Sequence, residues 1–206
     1  MIEAALMGGA LPGPWFDWEF VGSTELLTNG LAPAEAAFPA GIQPGDLVVA
    51  LMSPRNESVG AKITTPGWEH WTPGGLDYAC TARYTQDLQP PRWVRDAGNA
   101  LFVCILAYRA AGWTSISLES HSSPANPVTI ATRLQNELLL CIGLTPATTR
   151  GWAVTMSGAE PSVQVDRPLS PAMHVSSASV DFPRMVSGIA VDAVSGAERN
   201  LIFSVS

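Results

Sequence analysis

Charged residues are scarce in this sequence. Asp, Glu, Lys and Arg make up 14% of its 206 residues, against about 25% in an average soluble domain. Lysine occurs once, as Lys62, and the formal net charge is −7. Proteins that bind nucleic acid or anionic membranes present clustered Lys and Arg. We therefore expect neither nucleic acid nor a membrane surface as a partner.

Long apolar runs and paired cysteines are also lacking. No run reaches the roughly 18 apolar residues of a membrane-spanning helix, and residues 1–7 have no basic segment of the kind that begins a secretory signal peptide. The three cysteines, Cys80, Cys104 and Cys141, stand in apolar surroundings without a CxxC spacing. This pattern predicts buried free thiols and assembly in a reducing cytoplasm.

Helical periodicity does not persist for more than two turns anywhere. The best helical candidate, Ala32–Phe38, is bracketed by Pro33 and Pro39 and leaves room for one turn. Apolar runs of strand length are frequent instead, and 18 glycines and 17 prolines supply turns between them. The strongest predicted strands are Leu47–Met52, Asp77–Tyr84, Ala100–Tyr108 and Glu137–Leu144.

Strands without intervening helices predict an all-β fold, an antiparallel β-sandwich of jelly-roll type with about eleven or twelve strands. We expect residues 15–206 to form a single domain, because no linker interrupts them. Residues 1–14 contain Gly8-Gly9, Pro12 and Pro14 and one charged residue. We interpret them as an extended arm that docks on a neighbouring subunit.

Two segments resemble each other within the chain. Gly45–Ala50 and Asn136–Cys141 both begin with a polar turn and an acidic residue and continue as an apolar run. The similarity indicates two equivalent central strands, one in each sheet, although two copies are too few to define a repeat.

Motifs for catalysis and for metal binding are missing. His70, His121 and His174 are far apart in sequence, and no G-x-S-x-G nucleophile elbow is present. Asp77, Asp87 and Asp96 lie near one another with Glu69, but mostly in turn contexts, where Asp accepts hydrogen bonds from the backbone. We predict no catalytic residue, no cofactor and no metal ligand.

Seven tryptophans are the main surplus. Trp68, Trp71, Trp93 and Trp113 stand at the edges of predicted loops. Indoles there can stack on sugar rings, plug the ends of a sandwich, or anchor a subunit interface, where Trp and Arg are enriched and Lys is depleted. The low charge favours core or interface positions over glycan contacts.

Five segments in order resemble virion proteins of tailed bacteriophages. They are Pro39–Ala50, Pro66-Gly67-Trp68, Cys80–Thr85, Ala100–Arg109 and Asn136–Leu140. These proteins, of roughly this length, look like β-sandwich components of head decorations, spikes or tail tips and fibres. The resemblance covers about residues 39–144 and transfers no catalytic residue; nothing after about Arg150 takes part.

The expected function is that of a non-enzymatic structural component of a tailed phage or phage-like particle. Its place would be the tail tip, a fibre attachment or a head decoration. It would act as a homo-oligomer docked on other virion proteins, and it would reside in the virion after assembly in the host cytoplasm. One alternative is a module that binds host-surface glycan through the four tryptophans. A lower alternative is a glycan depolymerase or esterase.

Overall fold

The protein is an all-β structure. A computed structural model describes residues 17–55, 61–71, 76–96, 98–122, 128–132, 137–149, 151–180, 184–193 and 199–206. These residues form sixteen strands and no helix, and every strand pair is antiparallel. The described residues therefore include no helix long and apolar enough to cross a bilayer. The all-β antiparallel prediction is confirmed.

Eight strands belong to the first half of the chain and eight to the second. The first eight are β1 (Glu19–Thr28), β2 (Ala34–Glu35), β3 (Leu47–Pro54), β4 (Ala61–Ile63), β5 (Glu69–Trp71), β6 (Ala79–Arg83), β7 (Arg92–Arg95) and β8 (Leu101–Arg109). The second eight are β9 (Ile116–Ser122), β10 (Val128–Ala131), β11 (Glu137–Thr145), β12 (Trp152–Ser157), β13 (Ser162–Arg167), β14 (Ala172–Val180), β15 (Met185–Ala193) and β16 (Arg199–Val205).

The two halves have the same strand order. In the first half, an inner sheet runs β1-β8-β3-β6-β5 and an outer sheet runs β2-β7-β4. In the second half, the inner sheet runs β9-β16-β11-β14-β13 and the outer sheet β10-β15-β12. Each order is that of an eight-stranded jelly roll whose fifth strand pairs with the sixth. The described chain is therefore a duplicated jelly roll.

The two inner sheets face each other. The Trp71 ring lies edge-on to the Phe203 ring at 5.6 Å, across the two sheets. The Ser53 hydroxyl donates to the Ala172 carbonyl at 3.0 Å, also from one half to the other. The largest apolar cluster contains residues of both halves, so the duplication produces a shared core.

Four layers explain why the central strands are apolar on both faces. Along β11, Leu138, Leu140, Ile142 and Leu144 join the core shared with the first half, whereas Leu139 and Cys141 join a second core beneath the outer sheet of the second half. A strand covered on both faces cannot alternate between apolar and polar residues. The predicted equivalence of two central strands is confirmed, since β3 and β11 are each the middle strand of an inner sheet.

The predicted number of strands was too low. The strands that the sequence interpretation missed are β2, β4, β5, β7 and β9, of which the first four have two to four residues. The helical candidate Ala32–Phe38 contains β2 instead of a helical turn. The proposed arm, residues 1–14, lies outside the described residues, and the single-domain organisation stays a prediction.

Candidate functional site

Two of the four singled-out tryptophans are buried within the first half. Trp68 is 7% exposed, stacks against Phe38 with ring centroids 6.3 Å apart, and donates its indole hydrogen to the Gln89 carbonyl. Trp93 is fully buried, and its indole N–H donates to the Asp77 carbonyl at 3.2 Å. Both are packing residues, and the buried Trp93 ring offers no face to an external sugar.

The other two tryptophans lie closer to the junction of the two halves. Trp71 is half-buried and donates its indole hydrogen to the Thr81 hydroxyl at 2.8 Å. Trp113 is 5% exposed and donates to the Gly45 carbonyl at 2.9 Å, while the Arg83 guanidinium lies 3.8 Å from its ring centre. The four indoles therefore do not form a solvent-facing row, because the sheets and loops cover them.

The acids considered for catalysis have different environments. Asp87 and Asp96 are exposed. Asp77 is buried, and its Oδ2 accepts a hydrogen bond from the Ile63 backbone N–H at 2.5 Å. Of these three acids only Asp77 is buried, and the sequence interpretation placed it at the start of the predicted strand Asp77–Tyr84.

Asp77 lies beside a histidine and a cysteine. His70 Nδ1 is 3.1 Å from Asp77 Oδ2 and 3.6 Å from Cys80 Sγ. The arrangement follows from the hairpin β5–β6, in which His70 and Cys80 are directly paired and therefore share one face of the sheet. The sequence interpretation treated His70 as isolated, because the register that pairs it with Cys80 is not evident from the sequence.

This cluster does not have the geometry of a catalytic triad. A triad needs the nucleophile on one ring nitrogen and the orienting acid on the other, whereas Cys80 and Asp77 both approach Nδ1 of His70. Cys80 is fully buried, and burial, with a smaller effect of the Asp77 charge, raises the pKa of its thiol. What the cluster offers is three different donor atoms that converge on one point.

His174 occupies a second buried position. It is 3% exposed, its ring lies 5.9 Å from the Trp152 ring, and its Nδ1 is 3.7 Å from Asp166 Oδ1. Burial lowers the pKa of this imidazole, and the Asp166 carboxylate opposes the shift only in part. His174 is therefore a neutral core residue near pH 7. The side chain of His121 lies outside the described parts of the structure.

Two clefts lie at opposite junctions of the inner sheets. The Trp113 cleft, of about 390 Å³, opens between β5–β6 and β9 and is lined by Leu47, Glu69, Arg83, Trp113 and Ile116 among others. The Trp18 cleft, of about 210 Å³, opens between β1 and β13–β14 and is lined by Trp18, Phe20, Tyr108, Leu138 and Ser179 among others.

The two clefts are equivalent under the duplication. In the first half Leu47 pairs with Arg83 and with Tyr108, and in the second half Leu138 pairs with Ser179 and with Val205. Leu47 and Leu138 thus hold the same place in the two inner sheets, and each lines the cleft at its own end. The side chains around the two leucines differ, because Ser179 in the second half occupies the place of Arg83 in the first half.

Exposed apolar side chains are most frequent along two edge strands. Five of the seven large apolar side chains that are exposed in the described chain lie on or directly after β1 and β13: Phe20, Leu27, Leu31, Val163 and Leu169. Both strands are sheet edges, and they meet at the Trp18 cleft. We call this surface the β1/β13 edge.

Comparison of the chain with protein-family models, curated proteins and solved structures found no match. Its chemistry must therefore be inferred from its own residues. The described residues present exposed apolar side chains along the edge strands β1 and β13, two clefts at the junctions of the inner sheets, and one cluster of nitrogen, oxygen and sulfur donors.

Proposed function

We propose that this protein is a non-enzymatic structural component of a tailed phage or phage-like particle. It acts by assembling with copies of itself and with other virion proteins, at the tail tip, at a fibre attachment or as a head decoration. The observation that carries the proposal is the β1/β13 edge, where apolar side chains are exposed on two strands that have no further strand partner on their outer side among the described residues.

Burial of this edge would be favourable. Covering a large apolar side chain contributes about 1.5–3 kcal/mol, and unpaired edge strands offer backbone donors and acceptors to another strand. Phe20 and Val163, 39% and 59% exposed, lie on the two edge strands. Soluble monomers usually protect such edges with charge or proline; here exposed charges, Glu19 on β1 and Asp166 on β13, share the edge strands with Phe20 and Val163.

The interior supports an architectural role. Both inner sheets are covered on two faces, so the molecule is a stack of four layers whose core strands are buried throughout. Such an interior is close-packed and resists deformation. Jelly rolls occur in viral capsid proteins as well as in lectins, which makes fold analogy compatible with the proposal without deciding it.

Composition and the phage resemblance of residues 39–144 point the same way. A subunit whose surface is covered in the assembled particle can carry little charge, and this chain has 14% charged residues and one lysine. We place the protein in the virion after assembly in the host cytoplasm, where its three free thiols stay reduced.

The test is the mass of the purified protein in solution, measured by sedimentation velocity. We expect a closed homo-oligomer for the native chain. The double substitution Phe20→Glu with Val163→Glu should give monomers, because two charges would have to be buried at the contact. Val94→Glu is the matched control, because Val94 is 40% exposed on β7, the middle strand of the outer sheet of the first half and away from the β1/β13 edge. A native monomer, or an oligomer that survives the double substitution, would contradict the proposal.

The arm has its own experiment. Deletion of residues 1–14 should leave the circular dichroism spectrum of a folded β protein and abolish assembly, because the arm is proposed to dock on a neighbour. Assembly that is unchanged after the deletion would contradict the docking role of the arm.

Glycan binding remains the second candidate because of the Trp113 cleft. This cleft combines Glu69 and Arg83, which can bond to hydroxyl groups, with the edge of the Trp113 ring. Arg83→Ala and Glu69→Ala should abolish binding on a glycan array if sugar occupies the site, because both side chains line the cleft. Binding by the native protein that both variants lose would favour the receptor-binding function over the purely structural one.

A further inference from the structure

Three donor atoms of the first half converge at the edge of the inner sheet. The ladder of β5 and β6 places His70 opposite Cys80, and the loop before β6 brings Asp77 to the same face. The Nδ1, Oδ2 and Sγ atoms of these residues lie within 4.8 Å of one another. We propose that His70, Asp77 and Cys80 form a binding site for a transition-metal dication of the zinc type.

The two donor distances that involve His70 Nδ1 are close to those of tetrahedral coordination. Metal–ligand bonds of about 2.0–2.1 Å to nitrogen and about 2.3 Å to sulfur place those two atoms roughly 3.5 Å apart, and nitrogen and oxygen roughly 3.3 Å apart. In the structure His70 Nδ1 is 3.6 Å from Cys80 Sγ and 3.1 Å from Asp77 Oδ2. A cation between them would need only small side-chain movements.

A single proton on His70 Nδ1 can serve only one of the two contacts of this atom. If Nδ1 of His70 carries a proton, that proton can point well at the carboxylate of Asp77 and leaves the thiol of Cys80 without an acceptor there. If Nδ1 is unprotonated, it accepts from the thiol but sets its lone pair against the carboxylate oxygen at 3.1 Å. A bound cation accepts electron pairs from all three atoms at once.

The surroundings hold the donors in place. The Ile63 N–H donates to Asp77 Oδ2, and the Trp71 backbone hydrogen-bonds to the sulfur of Cys80. Such contacts behind the ligands orient them and tune the metal. They come from β4 and β5, which the metal would link to the start of β6.

The donor set selects the class of metal. A thiolate, an imidazole and a carboxylate suit Zn²⁺ and related first-row ions, whereas Mg²⁺ and Ca²⁺ require oxygen ligands. The Cys80 and Asp77 side chains are buried, but that of His70 is 39% exposed. The fourth position can therefore be filled from solvent. On binding, the thiol proton passes to water and no electron is transferred.

Titration of the chelator-treated full-length protein with Co²⁺ tests the site. Tetrahedral cobalt with a thiolate ligand gives a sulfur-to-metal charge-transfer band in the near ultraviolet and visible ligand-field bands. We expect both to saturate at one equivalent and to disappear when Zn²⁺ is added. If the full-length native protein gave no charge-transfer band on addition of Co²⁺, the proposal would be overturned.

Variants identify the ligands. Cys80→Ser should abolish the charge-transfer band, whereas Cys104→Ala and Cys141→Ala, which change the other two buried cysteines, should keep it. The His70 side chain is partly exposed, so the His70→Ala variant should fold even if Cys80→Ser does not. His70→Ala should weaken Co²⁺ binding at least about tenfold, because loss of an outer-shell partner alone lowers metal affinity 10- to 100-fold. A band that persists in Cys80→Ser and is unchanged in His70→Ala would place the metal elsewhere. The result is independent of the proposed function.

Discussion

Leu139 and Leu140 are consecutive residues of β11, both are at most 1% exposed, and they belong to different cores. Leu140 points to the core between the inner sheets, and Leu139 to the core beneath the outer sheet of the second half. In a two-layer sandwich one of the two would face solvent, because successive side chains of a strand alternate. The pair therefore shows that the inner sheet of the second half is covered on both faces.

The four layers predict equal sensitivity at these neighbouring positions. Leu139→Ala and Leu140→Ala should each lower the free energy of unfolding by about 2–5 kcal/mol, because each leaves a cavity in a packed core. Val163→Ala, at an exposed position, should change it by no more than about 0.5 kcal/mol. Chemical denaturation followed by circular dichroism measures all three. If Leu139→Ala lowered the free energy of unfolding as little as Val163→Ala, the result would contradict the packing of an outer sheet over Leu139.

The duplication predicts matched behaviour of two glycines. Gly67, between β4 and β5, and Gly158, between β12 and β13, occupy the same connection in the two halves and have φ of +89° and +101°. Alanine at either position should destabilise the fold by about 1–3 kcal/mol, since left-handed backbone strains a residue with a Cβ. Gly67→Ala should cost more, because its Cβ would lie 3.1 Å from Leu88 Cδ1.

The control for these glycines is Gly98→Ala. Gly98 has no positive φ, and the nearest atom to an added Cβ is at 3.5 Å. Thermal unfolding should therefore show a smaller shift for Gly98→Ala than for either of the other two. Equal shifts at all three positions would show that the two connections are not conformationally constrained.

The buried His174 predicts a pH dependence of stability. Burial lowers its pKa below the ordinary value of 6.5, so protonation favours the unfolded chain. The contribution of the neutral imidazole is complete above the unfolded pKa and is lost as pH falls below it towards the folded pKa. The difference in unfolding free energy between the native chain and His174→Gln should therefore be constant above about pH 7 and should shrink below about pH 6. If the unfolding free energies of the native chain and of His174→Gln changed in parallel down to pH 5, the result would contradict this prediction.

The cysteines predict a protected thiol population. Cys80, Cys104 and Cys141 are free and buried, as expected from sequence, and burial raises the pKa of Cys141 to about 12. Thiolate, the reactive form, is therefore scarce in the folded protein. A disulfide reagent should modify none of the three in the native state and all three in denaturant. Rapid labelling of the folded chain would indicate local opening of the inner sheets.

The strongest strands were predictable because burial on both faces leaves an unmistakable pattern. Ala100–Tyr108 and Glu137–Leu144 are continuous apolar runs, and they correspond to β8 and β11. Short strands such as β2 and β7 were not predictable, because two to four residues carry too little periodicity. Their pairing depends on the inner sheet against which they pack.

The donor cluster was hidden for a different reason. His70, Asp77 and Cys80 have no metal-binding spacing in sequence, and their proximity depends on the register of β5 against β6. A shift of one residue in that register would place His70 and Cys80 on opposite faces. The positions of Trp93 and Trp113 depend likewise on which loop and which sheet cover them.

The sequence by itself determined an all-β chain with free buried thiols and two equivalent central strands, because these follow from local hydrophobic pattern and from composition. Only the tertiary structure decided that the chain is a jelly roll present twice, that the two copies share a core through their inner sheets, and that apolar side chains collect at the β1/β13 edge. Those features depend on contacts between residues far apart in sequence. The local sequence pattern of one half does not show which of its surfaces the other half covers.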